Sequence, residues 1–445
     1  MKKIITYFWN FLHSTTLKTY LLKTVITLSV FIPCLYYDVN TWPLTSIMIV
    51  FMIAEFSTTS VFWLMLSGIQ RQFNSNTELM TLFYLFLIIL AIKFIFKLMK
   101  KEINYKSKIF TINVILFIIF SVIVITPLSL TYSFLSASNM VLFILLFLLL
   151  FCLKKDIDIS SLLFNFFIYV ITVSLFILIF ENHFYFATAF SITFDEKQYY
   201  RFNAFMQNPN LTTAILHVAL TAWFVLYKKE KLKKPIYFFG LFAILSFIFL
   251  TISKTSAFVL LFFFIFVIIE NLAKTIKLKD KKMLLELVYY FISLASSCLI
   301  CFNHVGALYT RIFLTENDVL YEPGLDNLTT GRVVMYDNYL KTVFSSPRTI
   351  LFGHGHNSLV HNVFIDFLYR IGFIPSLLIA SMFIVSIIPY IKKIKFYSIC
   401  TFLIIFLTYN SIGTTSIKHL HLYIVAYLSL YFSSLNETNS TKKST

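Results

Sequence analysis

Charge is what this chain has least of. Only 13% of its 445 residues are Asp, Glu, Lys or Arg, about half the share of an ordinary soluble protein. That shortage excludes a soluble fold. With 59% hydrophobic residues and a mean hydropathy of +0.82, the apolar surface exceeds what a core of this size can hide. Lipid must solvate most of it. Cysteine is sparse as well. Cys34, Cys152, Cys298, Cys301 and Cys400 lie in or beside apolar runs and form neither a disulfide framework nor a zinc spacing. The Gly-rich fingerprint of a nucleotide site is missing. No aspartate pair has the marks of a metal-dependent nucleotide-sugar transferase. Solenoid repeats and long disordered linkers are lacking too. No small-residue cleavage site follows the first apolar run, which therefore reads as an anchor.

Phenylalanine, in contrast, is abundant: 53 residues in a chain that is 19% aromatic. Such side chains face lipid and pack helices, and no cofactor is expected from them. The formal net charge is +17. A basic chain can bind nucleic acid, but here the lysines stand in short clusters between apolar runs. That is the pattern of cytoplasmic loops under the positive-inside rule, so membrane lipids and not nucleic acid are the expected surroundings.

Apolar runs long enough to span recur near 21–37, 43–66, 79–98, 110–130, 141–153, 162–180, 211–227, 236–252, 257–269, 284–302, 371–391, 396–412 and 420–432. Six lysines fall between 93 and 108. Further clusters follow at Lys154 and Lys155, 228–234, 274–282 and 392–395, with Lys442 and Lys443 in the tail. All can be counted onto one face, the cytoplasmic one. Residues 68–78 must then lie outside, and an N-terminus held inside by Lys2, Lys3 and Lys18 requires an odd number of crossings before Gly68. Two apolar runs stand there. The preferred solution is twelve spans with both ends inside. Segments 181–208, 253–256 and the long polar stretch 304–362 are then outside.

Arginine is scarce, yet Arg201, Arg311, Arg332 and Arg348 all fall outside, against the charge rule. Something other than topology retains them. The guanidinium fork pairs with phosphate or carboxylate oxygens, so a lipid-linked phosphate or an acidic sugar is one reading. Surface pairing with Glu316, Asp318, Glu322 and Asp326 is the other. Lys254 is also outside, set among hydroxyls in Thr251-Ile252-Ser253-Lys254-Thr255-Ser256. The densest polar feature is Gly353-His354-Gly355-His356-Asn357 followed by His361-Asn362. Three histidines can hold a metal, but no Cys or helical His pair accompanies them. A single histidine acting as a base near neutral pH suits the pattern better.

These segments, in this order, resemble the O-antigen polymerase/ligase superfamily, polytopic glycosyltransferases that use undecaprenyl-diphosphate-linked oligosaccharides. Four motifs carry the resemblance. They are Arg201-Phe202-Asn203-Ala204 through Asn208-Pro209-Asn210; Thr251-Ile252-Ser253-Lys254; Thr330-Gly331-Arg332 with Tyr336; and Phe352-Gly353-His354-Gly355 through His361-Asn362 to Gly372. Lys254 stands where the family has arginine, Tyr336 where it often has tryptophan, and Pro375 where it has a second glycine. The resemblance covers roughly 201–375.

The resemblance implies an all-α polytopic membrane protein of about twelve transmembrane helices with a GT-C-like architecture. N-terminal spans would occupy 1–200, a polymerase/ligase-like core 201–375, C-terminal spans 376–435 and a disordered cytoplasmic tail 436–445. It implies that Arg201, Lys254 and Arg332 clamp the diphosphate leaving group without a metal, and that His361 takes the acceptor hydroxyl's proton, with inversion. Asn208, Asn210, Asn362, His356 and Tyr336 would shape the substrate site, the asparagines by hydrogen bonds or as helix caps. Donor and acceptor are both lipid-linked oligosaccharides, and a chain-length regulator is a conceivable partner. Repeat-unit polymerase is the leading reading. A ligase that moves the glycan to another acceptor is the runner-up. A lipid-linked sugar flippase would need internal repeats and mid-membrane ionisable groups, for which Glu55 and Glu286 are the main candidates.

Overall fold

The structure, a computed structural model, describes residues 2–14, 16–36, 41–56, 61, 63, 64, 66, 76–103, 107–125, 134–179, 190–192, 200–203, 209–278, 282–313, 332–355, 362–391, 395–409 and 420–435. About 89% of them are helical. In chain order the helices are α1 (Lys2–His13), α2 (Leu17–Tyr36), α3 (Trp42–Glu55), α4 (Asn76–Met99), α5 (Lys108–Ile125), α6 (Phe134–Leu153) and α7 (Ile159–Ile179). A hairpin of β1 (Phe190–Ile192) and β2 (Tyr200–Phe202) follows. Then come α8 (Pro209–Lys228), α9 (Lys234–Leu250), α10 (Lys254–Leu278), α11 (Lys282–Ile300) and α12 (Phe302–Phe313). The last are α13 (Arg332–Val343), α14 (Pro347–Phe352), α15 (Val363–Ile371), α16 (Phe373–Ile391), α17 (Phe396–Tyr409) and α18 (Leu420–Ser434).

Helix is the expected form, because a chain in hydrocarbon must satisfy its own backbone N–H and C=O groups. Among the described residues, six helices are long and apolar enough to cross a membrane: α4, α5, α7, α8, α10 and α11. The helices α3, α9, α16, α17 and α18 are apolar but shorter. Length and composition thus agree with an all-α membrane protein. The apolar run 43–66 is not one helix. Its first part, α3, stops after 14 residues where Phe56 turns left-handed at φ 36°. At 1.5 Å per residue that is about 21 Å, short of the ~30 Å hydrocarbon core. The long polar stretch 304–362 is helical in part, since it contains most of α12 and all of α13 and α14.

The chain divides into two compact units. One holds residues 1–165, 334–391 and 413–424. In it α5 packs on α16, α6 packs on α4 and α5, and α3 packs on α2 and α4. Its polar core is Lys23 with Glu55, both side chains fully buried and 3.0 Å apart. Lys23 Nζ also donates to Leu12 O at 2.9 Å and Ser14 O at 3.2 Å, which uses all three of its protons and ties the end of α1 down. Glu55 accepts from Trp63 Nε1 at 2.9 Å and Tyr20 Oη at 3.4 Å. A buried ion pair persists only when so fully bonded.

The other unit holds 166–333, 392–412 and 425–445. Here α9 lies between α8 and α11, and α17 packs on α8 and α10. Two devices bring the helices close. Gly240 leaves room for Trp223, whose Nε1 would sit 2.5 Å from any Cβ there. That indole donates to Tyr237 O at 2.9 Å and stacks on Phe167. Along α11 and just past its end, Ser293, Ser297 and Cys301 recur every fourth residue and donate to the α9 carbonyls of Phe238, Phe242 and Ser246. Small residues with hydroxyls are what let helix backbones approach in lipid.

Candidate functional site

Four helices of the second unit, α8 to α11, carry lysines at one end and the candidate site at the other. Lys228, Lys234 and Lys274 gather at the first end around buried Glu270 and Glu286. Asn210 and Lys228 lie 18 residues apart on α8, so about 27 Å separates the two ends.

The site is built around the turn between α9 and α10. Helix α9 ends at Leu250, where Thr251 Oγ1 folds back to Ile248 O at 2.7 Å. Ile252 follows at φ 46°, a left-handed conformation that β-branched residues rarely adopt. Two arginines hold this turn from separate elements. Arg201, on β2, donates from Nε to Thr251 O at 2.9 Å. Arg311, on α12, donates from Nη1 to Ile252 O at 2.9 Å. Consecutive carbonyls are thus each met by a guanidinium. Arg201 also donates from Nη2 to Asn210 Oδ1 at 3.0 Å, at the start of α8. Both arginines are buried, 4% and 7% exposed. The hairpin that aims Arg201 pairs it with Ser191, and Phe202 anchors the strand by stacking on Phe247.

Helix α10 starts two residues beyond the strained turn, at half-buried Lys254. A cation at a helix N-terminus opposes the macrodipole. Two buried guanidiniums nearby raise the local potential further. Such a place stabilises an anion. In the first turn of α10, the buried Ser256 Oγ has no hydrogen-bond partner among the described residues. On α12, His304 lies seven residues before Arg311, on the same face. Burial holds its imidazole below the ordinary histidine range, so it is neutral at neutral pH.

In the first unit, the Gly-His-Gly segment crosses the junction of α15 and α16. Gly353 and Gly372 both have φ near +75°, at +73° and +76°. A Cβ on Gly353 would lie 2.5 Å from Gly372 N, and one on Gly372 would lie 2.4 Å from Gly353 N. Only glycine permits that backbone crossing. His354 N donates to Tyr369 O at 2.7 Å and Gly355 N to Arg370 O at 2.9 Å. The His354 ring stacks on Tyr369, and its Nε2 lies 3.2 Å from Thr342 O. Asn362 caps α15, accepting from Phe364 N at 2.9 Å and Ile365 N at 3.2 Å. Tyr336 is half-buried on α13.

The structure therefore brings together Arg201 and Asn210 at the turn that leads to Lys254. Asn208, His356, His361 and the side chain of Arg332 lie outside the described residues. So do Glu316, Asp318, Glu322 and Asp326, the acids set against the arginines above. Sequence reading grouped Arg311 with the outward arginines but gave it no role at the site. Its signal was the spacing of Cys301, His304, Leu308 and Arg311 along one side of a helix. His217 was missed altogether. It is fully buried on α8, two turns deeper than Asn210, with Nδ1 3.1 Å from Thr408 Oγ1. Among the described residues, no three His, Cys, Asp or Glu side chains are grouped to hold a metal ion. No family model, curated protein or solved structure matches the chain.

Proposed function

We propose that this chain is a membrane glycosyltransferase of about twelve spans that joins lipid-diphosphate-linked oligosaccharide repeat units into a polysaccharide. The observation that carries the reading is the pair of buried arginines on the Thr251–Ile252 turn, beside Lys254 and the start of α10. A diphosphate leaves readily once its developing charge is met, and fixed cations in a low-dielectric site meet it without rearrangement. The acceptor hydroxyl must lose a proton, and His361 is the residue proposed to take it. The hydroxyl oxygen then bonds to the anomeric carbon of the donor sugar as the bond to the diphosphate breaks, with inversion. Asn210 supports Arg201 in this scheme, and Asn362 fixes the start of α15 just after His361. The two acids that a flippase would need are already engaged, Glu55 with Lys23 and Glu286 near Lys228 and Lys234.

The test is incubation of the purified protein with an undecaprenyl-diphosphate-linked repeat unit. Longer lipid-linked products support a polymerase. Transfer only to a different acceptor supports a ligase, and no reaction with either overturns the glycosyltransferase reading. In a deletion strain, His361→Ala and Arg201→Ala should each abolish the glycan ladder while the protein still inserts. A normal ladder from His361→Ala removes His361 as the base.

A further inference from the structure

Outside the candidate site, the first unit has a groove of about 610 Å³ at the lysine-bearing end of α4. Its walls are apolar: Phe94 and Leu98 from α4, Phe110 and Val114 from α5, Leu145 and Leu149 from α6. Phe94 and Phe110 stack, which closes one side. The size lies in the ~300–1,000 Å³ range of small-molecule sites. Both α4 and α5 are among the helices able to cross a membrane, and only 17% of α5 is buried. The groove therefore opens toward lipid and not toward a protein core.

One cation stands in the lining, Lys101. It follows the last turn of α4, whose end is closed by Lys101 N to Leu98 O at 3.0 Å and Glu102 N to Lys97 O at 3.0 Å. Glycine is the usual residue there, because the position is left-handed. Lys101 holds it at φ 55°. Neighbouring Lys97 is occupied by Asp156 at 2.6 Å and Glu102 at 3.2 Å. Lys100 and Lys101 are exposed and form no ion pair among the described residues.

We propose that this groove is a binding site for an anionic glycerophospholipid. One acyl chain fills the apolar trough, and the headgroup phosphate meets Lys101 and Lys100. An apolar trough alone would accept any lipid tail, so the charge at its mouth decides the occupant. Basic residues beside membrane-spanning helices are where anionic headgroups dock. The site is independent of the glycosyltransferase reading and survives its failure.

The experiment is native mass spectrometry of the delipidated, detergent-solubilised full chain, titrated with dioleoyl-phosphatidylglycerol or dioleoyl-phosphatidylcholine. The phosphatidylglycerol adduct should form at lower lipid concentration, by about fivefold for each lysine engaged. Lys101→Gly is the decisive variant, because glycine takes φ 55° freely and the fold is kept. Together with Lys100→Gln it should erase the preference between the two lipids. Leu149→Trp, which fills the trough, should weaken retention of phosphatidylglycerol. Equal retention of both lipids by the unaltered protein overturns the proposal. So does a preference that persists in the lysine variant, or retention that Leu149→Trp leaves unchanged.

Discussion

Ile252 holds a backbone conformation that costs an L-residue roughly 1–2 kcal/mol, and its side chain is 2% exposed. The carbonyl hydrogen bonds from Arg201 and Arg311 offset that strain. Arg311→Gln should therefore lower stability in detergent by about 1.5–3 kcal/mol, the range for hydrogen bonds from charged groups. Ile252→Gly alone loses buried apolar surface and should also destabilise. In the double variant the glycine adopts the turn without a tether, so the two losses should sum to less than their separate values. Strict additivity, within about 0.5 kcal/mol, would show that Arg311 does not hold this turn. His304, on the same helix face, gives a pH signature. Its folded pKa is lowered by burial, so the unfolded chain binds a proton that the folded chain resists. Its stabilising contribution is present above about pH 6.5, the unfolded value, and is lost as pH falls through the folded one. Melting temperatures between pH 8 and 5 should fall less steeply for His304→Gln than for the unaltered protein. Identical slopes would remove this histidine from the pH response. The sequence names Arg201 and Lys254 as exceptions to the charge rule, and that much of the site is legible. The left-handed turn is not. Hydropathy runs the span through Ile252 because it weighs side chains, and isoleucine carries no mark of a positive φ.

At the scale of elements, the helices themselves follow from the apolar runs, since lipid leaves the backbone no other form there. The contacts between them are less legible, because in lipid they rest on small residues and hydroxyls and not on apolar burial. Ser293, Ser297 and Cys301 look unremarkable in sequence, yet all three meet α9 carbonyls 55 positions earlier in the chain. Ser297→Leu should force α9 and α11 apart and destabilise by about 1–3 kcal/mol, the usual range for overpacking. Ser297→Ala keeps the close approach and should lose about 0.6 kcal/mol, a typical interhelical hydrogen bond in a membrane. Thermal unfolding of the detergent-solubilised variants separates the two. If alanine proves as damaging as leucine, the hydrogen bond and not the spacing holds the seam. The break in the run 43–66 has a simpler origin. The polar residues Ser57, Thr58, Thr59 and Ser60 follow Phe56 directly, and a hydropathy window averages them away.

At the scale of the molecule, the open quantity is which way the chain faces. Helices α8 to α11 put buried arginines at one end and clustered lysines at the other. The positive-inside rule acts on lysine-rich loops and assigns them to the cytoplasm. Arginines that are buried and held by backbone carbonyls are not free loop charges, so they do not contradict it. Single cysteines can test the assignment, because all five native cysteines are buried or half-buried. Gly306→Cys places an exposed thiol on α12, beside the arginine end, where an added Cβ meets nothing within 4 Å. Lys231→Cys places one at the lysine end, and Lys101→Cys another after α4. An impermeant maleimide on intact cells should label Gly306→Cys and reach the other two only after permeabilisation. Labelling in the reverse pattern would invert the topology and put the arginine turn in the cytoplasm, away from any substrate delivered outside. Lys3→Cys then decides the parity of the crossings. Protection in intact cells requires an odd number of spans before residue 68 if that segment is outside, as twelve spans demand. Labelling of Lys3→Cys in intact cells would instead put the N-terminus outside and make the total odd.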